Sequence, residues 1–279
     1  MTNSFTISGQ VIDKERLPEL IGELDLFPLL VRRLIERQSV LNVIPSNEEQ
    51  ITYYQKFLKS NRITNAEALQ LWLQVEGISE QVMSKRLYFS LQIDQFKEQK
   101  FGSLVESVFL ERKSQLDRVL YSLIRVKNRE KATELHLKLT EEEATFSELA
   151  SSYTEGLEKE MNGLLGPMEL GSLNPSISER LKISQPGQLW PPFESNGWWV
   201  LLRLERILPA SLDNGMYIRI INELYEEWMK LEVGNALSQL ETDLKAEQIP
   251  VPDKPLPESN EVEQKKQKNI FQSLFGSKS

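Results

Sequence analysis

Cysteine is absent from this 279-residue sequence, and histidine occurs only once, as His136. Without cysteine the chain has no disulfide, no thiol nucleophile and no cysteine-linked lipid anchor. One histidine cannot supply a catalytic histidine pair, and it argues against a Ser/His/Asp triad or a histidine-rich metal cluster. The sequence also lacks a glycine-rich phosphate loop with a lysine. These absences predict a protein without metal or cofactor, and we expect His136 to be a partly exposed helix residue.

Basic residues are too few to balance the acidic ones. The chain has 33 lysines and arginines against 41 aspartates and glutamates, a net charge of −8. Nucleic-acid-binding domains are typically basic, so this balance argues against such a partner. No apolar run approaches the roughly 20 residues that cross a bilayer. Residues 1–9 lack the basic and apolar regions of a secretory signal. We therefore expect a cytoplasmic protein with no membrane span.

Helical patterning dominates residues 1–118, with one short strand expected within residues 5–12. Apolar residues recur at helical spacing from 17 to 35, where Pro28 should break or kink the helix. Local signals predict two further helix starts and one helix end: Ser46 with Glu49, Thr64 with Glu67, and Gly77. The sequence thus predicts an N-terminal helical module.

Residues 119–209 have a mixed pattern. Ile124 and Val126 alternate with polar residues, which predicts a strand over 121–126. Helices are predicted over about 129–139 and from about 144 onward. Turn segments that contain glycine and proline follow, and an apolar strand over 197–204 closes the stretch. Strands and helices in this order predict an α+β domain.

The order of these motifs resembles the parvulin (PpiC-type) domain, the small prolyl-isomerase fold of SurA- and PrsA-type chaperones. The resemblance is carried by the Phe-x-x-Leu-Ala-x-x-Tyr helix at 146–153, the glycine pair Gly163 and Gly166, and Pro-Gly-Gln at 186–188 before Gly197-Trp198. A looser run, Glu-Ala-Leu-x-x-Trp-Leu from Glu67, resembles the helical module of SurA-type chaperones. The resemblance implies a small mixed or antiparallel sheet with surrounding helices, inserted in a mainly α-helical SurA-like module.

This resemblance also implies where the family's site residues fall. Parvulins have two histidines, a Cys or Asp and a further acidic residue, and these positions are occupied here by Leu123, Trp199, Gly156 and Leu164. The proline pocket of the family falls on apolar residues of this chain, with an aromatic contribution expected at its edge: Leu165, Leu173, Ile177, Phe193 and Trp199. Such a pocket can hold proline and exclude water from its amide, but the polar network is missing. We therefore expect reduced catalysis and name no catalytic residue; alternatively, Leu123, Leu164 and Trp199 are core packing in a retired active site.

The C-terminal part of the chain has two regions. Residues 213–244 predict one long helix, and the resemblance implies that a segment over 210–248 packs back on the N-terminal helices. From Pro250 the sequence is rich in proline and charge, which predicts disorder over 249–279. Within that tail a small apolar face suits docking on a partner: Ile270, Phe271, Leu274 and Phe275.

Three functions remain open at this point. The first is a parvulin-type peptidyl-prolyl isomerase that acts as a folding helper on unfolded or proline-containing polypeptide. The second is a non-catalytic chaperone or adaptor that holds such client chains, linked in one version to protein export. The third is a scaffold that binds a partner through its tail.

Overall fold

The computed structural model describes residues 4–7 and 10–246, which belong to two units. The terminal unit consists of residues 1–44 and 227–279, and the central unit consists of residues 45–226. The predicted tail over 249–279 lies outside the described residues, and so do its apolar residues Ile270, Phe271, Leu274 and Phe275.

The terminal unit begins with a hairpin followed by two helices. Strands β1 (Ser4–Ile7) and β2 (Gln10–Asp13) pair antiparallel, where the sequence indicated one strand. Helices α1 (Leu17–Glu23) and α2 (Phe27–Ser39) follow. The break that we expected near Pro28 falls just before it, because proline fits the first turn of α2, where its missing N–H is not needed.

Four helices open the central unit: α3 (Asn47–Ser60), α4 (Ala66–Glu76), α5 (Glu80–Phe101) and α6 (Val105–Leu116). The capping box of Ser46 and Glu49 is confirmed at the start of α3. Helix α4 differs from the expectation, because Asn65 rather than Thr64 caps it, accepting a hydrogen bond from the Ala68 N–H at 2.8 Å. Gly77 ends α4 in the left-handed conformation, as predicted.

The long helix expected over 213–244 is α10 (Asn214–Ala246). Within the central unit its first part contacts α5 and α6. Three polar pairs join them: Tyr217 donates to Glu98 at 2.6 Å, Lys97 donates to Asn222 at 2.9 Å, and Arg112 donates to Glu223 at 2.6 Å. The Tyr225 ring meets the rings of Phe96 and Phe101 edge to face.

The rest of the central unit is a four-stranded antiparallel sheet with three α-helices. Its strands are β3 (Arg118–Val126), β4 (Leu164–Glu169), β5 (Leu189–Ser195) and β6 (Trp198–Leu208), in the order β4-β3-β6-β5. The helices are α7 (Arg129–Thr140), α8 (Phe146–Tyr153) and α9 (Pro175–Ile183). The predicted α+β class with a small antiparallel sheet is confirmed.

Both faces of this sheet are covered, because successive strand residues point to opposite sides. On the face that we call the α9 face, strand residues pack with Leu170 and with Leu181 of α9: Val119, Tyr121, Leu123, Val200, Leu202 and Leu204. On the α7/α8 face, Ile124, Val126 and Leu201 pack against apolar residues of α7 and α8. Among the described helices, none combines the length and the hydropathy needed to cross a membrane.

Candidate functional site

Four of the residues expected to form the proline pocket lie together on the α9 face. Leu165 of β4, Leu173 in the turn before α9 and Ile177 of α9 pack half-buried against the cluster that contains Phe193 of β5. We call these four residues the apolar patch. Leu123, which stands where the family has its first histidine, belongs to the same cluster and is only 5% exposed. The structure therefore brings four of the five predicted residues together from β4, β5, α9 and the turn before α9.

Trp199 is separated from the apolar patch. In β6 the residues Val200 and Leu202 face α9, so the alternation of the strand points Trp199 to the other side. There Trp199 packs against the α7/α8 core, and the Arg129 guanidinium lies 5.1 Å from its ring centroid. This corrects the expectation that Trp199 contributes to the proline pocket. Its neighbour Trp198 occupies the α9 face instead.

Leu164 does not lie in the core, where the interpretation of a retired active site placed it. It lies at the start of β4, pairs with Ser122, and is 45% exposed. Of the three residues that this interpretation assigned to core packing, Leu123 is fully packed, Trp199 is half-buried and Leu164 is largely open. Because Leu165 faces α9, its neighbour Leu164 points to the other side of the sheet and does not line the apolar patch.

Gly156 stands where the resemblance implies a Cys or Asp, and the space beside it is filled by another residue. A Cβ atom at this position would lie 2.1 Å from Nε and 2.4 Å from Nη2 of Arg125, and 2.4 Å from Oε1 of Glu158. The Arg125 guanidinium therefore fills the space that a side chain of residue 156 would take. Arg125 follows Leu123 by two positions in β3, so both side chains point to the α9 face.

Glu158 holds this guanidinium in place. Nη2 of Arg125 donates to Oε2 of Glu158 at 2.8 Å, and Nε lies 2.7 Å from Oε1 as an ion-pair contact. The Glu158 side chain is 5% exposed, and the Thr154 hydroxyl lies 3.3 Å from its Oε1. Burial, and after it the negative charge of Glu158, raises the pKa of the Tyr121 phenol, which belongs to the α9-face cluster. The charge of Glu158 therefore acts on one residue of the cluster beneath the apolar patch, Tyr121.

Arg125 and Glu158 were not predicted from the sequence as site residues. One signal was present: Arg125 is a charged residue between Ile124 and Val126 in an otherwise apolar strand. Its partner Glu158 is separated from it by 33 positions, and the contact depends on the turn after α8. Only the folded structure brings the two residues together.

Cations and hydroxyls surround the apolar patch. The Arg180 guanidinium lies 3.8 Å from the ring centroid of Phe193, and its Nη1 donates to the Ser176 carbonyl at 2.7 Å. The Ser176 and Ser195 hydroxyls are 2.7 Å apart. Lys127 lies 3.6 Å from the ring centroid of Trp198, whose other cationic neighbour is Arg125 at 5.5 Å. These groups give a site of apolar contacts with hydrogen-bond donors at its edges.

A groove of about 880 Å³ lies elsewhere, beside the α7/α8 face. It is lined by residues that include His136, Phe146, Leu189, Pro191 and Arg203. His136 is half-buried on α7, which confirms the expectation of a partly exposed helix residue. The chain's one histidine is therefore on the opposite side of the sheet from the apolar patch.

Comparison with known proteins identifies this part of the chain. Residues 123–206 match the Rotamase family model, described as a PPIC-type PPIase domain. The match runs from β3 into β6 and contains every residue of the apolar patch. It confirms the predicted parvulin-type domain, and this domain is classified with the peptidyl-prolyl cis–trans isomerases. No curated protein matches the chain.

Several solved structures are similar to the chain at low identity. The peptidylprolyl isomerase PrsA from Bacillus anthracis is 19% identical, with a TM-score of 0.39, over 82% of this chain and 99% of that one. PrsA from Bacillus cereus is 16% identical, with a TM-score of 0.41, over 97% of each chain. A SurA-like chaperone from Campylobacter jejuni is 15% identical, with a TM-score of 0.33, over 87% of this chain and 96% of that one. The family assignment rests on the match of residues 123–206.

Proposed function

We propose that this protein is a folding helper that binds unfolded or proline-containing polypeptide and accelerates prolyl cis–trans isomerisation with less power than a parvulin that has the histidine pair. One observation carries the proposal. Within the PPIC-type domain, the four apolar residues assigned to the proline pocket gather on one face, around the buried Leu123.

The chemistry of the reaction explains why such a site retains activity. The barrier of about 18–20 kcal/mol comes from amide resonance, and no σ bond breaks. An apolar surface that binds the proline ring and removes water from the amide favours the twisted state, in which the amide is less polar. This contribution requires side chains such as Ile177 and Phe193 but no ionisable group. The histidine contribution is lost, so we expect a lower rate.

A protease-coupled assay with a proline-containing peptide tests this proposal. The chain should raise the isomerisation rate above background at high enzyme concentration. Ile177→Asp places a charge in the apolar patch and should abolish the catalysed rate. Ile183→Asp is the matched control, since Ile183 lies on the same helix and is 72% exposed. Absence of any catalysed rate, or equal rates for the two variants, would contradict the proposal.

A second function, holding of client chains by the helices, is favoured by a separate observation. Helix α4 exposes Leu71 and Val75, which are 64% and 76% exposed and lie four residues apart on one side of the helix. Ile51 of α3 is 58% exposed. Exposed apolar side chains of this kind provide a surface for unfolded polypeptide.

Suppression of client aggregation distinguishes this function from catalysis. Leu71→Ser with Val75→Ser should reduce protection of a denatured client and leave the isomerisation rate unchanged. The matched control is Gln70→Ser with Gln74→Ser, which changes two exposed polar residues of the same helix. If Ile177→Asp abolishes all protection, the client is held by the apolar patch and not by α4.

Two predictions from the sequence remain proposals with their own tests. Cell fractionation tests the cytoplasmic location. For the tail, pull-down by chains that end at Pro250 and at Ser279 tests whether Ile270, Phe271, Leu274 and Phe275 bind a partner. Equal recovery of the partner by both chains would remove the docking role.

A further inference from the structure

The position of Arg125 suggests a replacement for the missing polar network. Its guanidinium fills the space above Gly156, where the resemblance placed a Cys or Asp. The side chain is 35% exposed, while that of Glu158 behind it is 5% exposed. The ion pair therefore presents its cationic member toward the solvent side of the α9 face and keeps its anionic member inside.

Arginine in this arrangement retains donors for a ligand. A guanidinium carries five N–H donors in a planar fork. Glu158 accepts from Nη2 and contacts Nε, and within residues 4–7 and 10–246 no hydrogen bond from Nη1 is formed. Two carboxylate contacts on one edge fix the plane of the fork, so the Nη1 edge is held in a defined direction.

The twisted amide offers an acceptor that the planar amide lacks. In the planar state the proline nitrogen shares its lone pair with the carbonyl group. Rotation about the C–N bond returns this pair to the nitrogen, which becomes pyramidal and able to accept a hydrogen bond. A donor placed at the nitrogen therefore binds the transition state more strongly than either planar isomer, which is the condition for catalysis.

We propose that Arg125, oriented by Glu158, donates a hydrogen bond to the prolyl nitrogen of a peptide bound on the apolar patch. This inference rests on the proposed isomerase function, and it names the polar group of that site. Arg125 is then a catalytic residue and Glu158 is a positioning residue. No proton or covalent bond is transferred, because the donor N–H stays on the guanidinium throughout the rotation.

The test uses the full chain and separates binding from turnover. Arg125→Gln with Glu158→Gln removes both charges together, so that neither is left buried without a partner. We expect kcat to fall about 10- to 100-fold, as expected for the loss of a charge-assisted hydrogen bond. The peptide Kd should change less than about twofold, because the planar amide does not use this donor. Arg125→Lys keeps the charge but not the fork, and it should give an intermediate kcat.

A matched pair of substitutions controls for stability. Arg112→Gln with Glu223→Gln removes the ion pair between α6 and α10, away from the apolar patch, and should leave kcat unchanged. Unchanged kcat in the Arg125 and Glu158 double variant of an active chain would overturn the donor role alone. A parallel loss of kcat and peptide binding, with a lowered Tm, would assign the pair a structural role. An inactive wild-type chain would instead overturn the proposed function itself.

Discussion

The guanidinium carbon of Arg180 lies 3.8 Å from the ring centroid of Phe193, so a cation covers the aromatic member of the apolar patch. Phe193 is only 9% exposed under this cover. The hydrogen bond from Arg180 to the Ser176 carbonyl holds the guanidinium within α9. A proline ring that packs on Phe193 must therefore displace Arg180 or share the ring with it.

Arg180→Ala is expected to tighten binding of a proline peptide. A cation–π contact of this kind is worth about 0.5–1 kcal/mol, which corresponds to a Kd about two- to fivefold lower. Fluorescence titration with a labelled peptide measures the change, and Lys182→Ala on the exposed side of α9 is the control. Weaker binding by Arg180→Ala would show that the guanidinium contacts the peptide directly.

The isomerisation rate is expected to be independent of pH between about 6 and 8. The one histidine of the chain, His136, lies on α7 beside the groove on the other side of the sheet, so no histidine faces the apolar patch. The charged and titratable groups around the apolar patch include Arg125, Lys127, Glu158, Arg180 and Tyr121. Burial and the charge of Glu158 raise the pKa of Tyr121 above its ordinary value near 10, so this phenol stays neutral throughout the range. An inflection in kcat near pH 6.5 that persists in His136→Ala would contradict this account.

Local signals in the sequence predicted much of the fold. The capping box at Ser46 and the left-handed stop at Gly77 depend only on neighbouring residues, and both appear as predicted. The alternation of Ile124 and Val126 correctly predicted a strand, although β3 begins three residues earlier, at Arg118. The cap of α4 was misassigned by one position, since Thr64 and Asn65 are both suitable caps.

The site was harder to predict because it depends on which face each residue occupies. Leu165 and Ile177 were assigned by resemblance, and the sheet brings them together. Trp199 was assigned in the same way, but successive residues of β6 point to opposite faces of the sheet. Val200 and Leu202 face α9, so Trp199 faces α7 and α8. The pairing of Arg125 with Glu158 depends on how the turn after α8 approaches β3, which no local pattern records.

Gly166→Ala is expected to destabilise the central unit. Gly166 has a φ of 107°, and a Cβ atom there would lie 2.3 Å from the Val119 carbonyl oxygen, a backbone atom of the paired strand. The backbone strain alone costs about 1–3 kcal/mol. Urea unfolding measures the change. Gly234→Ala is the control, because Gly234 lies inside α10, where no atom of the described residues outside the adjoining turns of its own helix comes within 4 Å of the Cβ position. This change should stabilise the chain by about 0.5–1 kcal/mol. Equal effects of the two changes would contradict the placement of β4.

Alkaline pH is expected to weaken the contact between α3 and α5. The Tyr53 hydroxyl donates to Oδ2 of Asp94 at 3.1 Å. Burial, and then the negative charge and the hydrogen bond of Asp94, raises the pKa of Tyr53 from 10.0 to about 12. A raised pKa means that this stabilisation is complete below pH 10 and is lost as the pH rises toward 12. Urea midpoints of the wild type and Tyr53→Phe should therefore converge across this range. A constant difference between them would contradict the prediction.

Methyl NMR with a proline-containing peptide tests the central claim most directly, because it reports the location of binding and the rate of isomerisation in one sample. We predict exchange between the cis and trans peptide signals, accompanied by shifts of the Leu165, Leu173 and Ile177 methyl resonances. Ile177→Asp should remove the exchange. Exchange without shifts of these methyl groups, or shifts confined to Leu139 and Leu189 in the groove beside the α7/α8 face, would contradict the assignment of the apolar patch as the isomerase site.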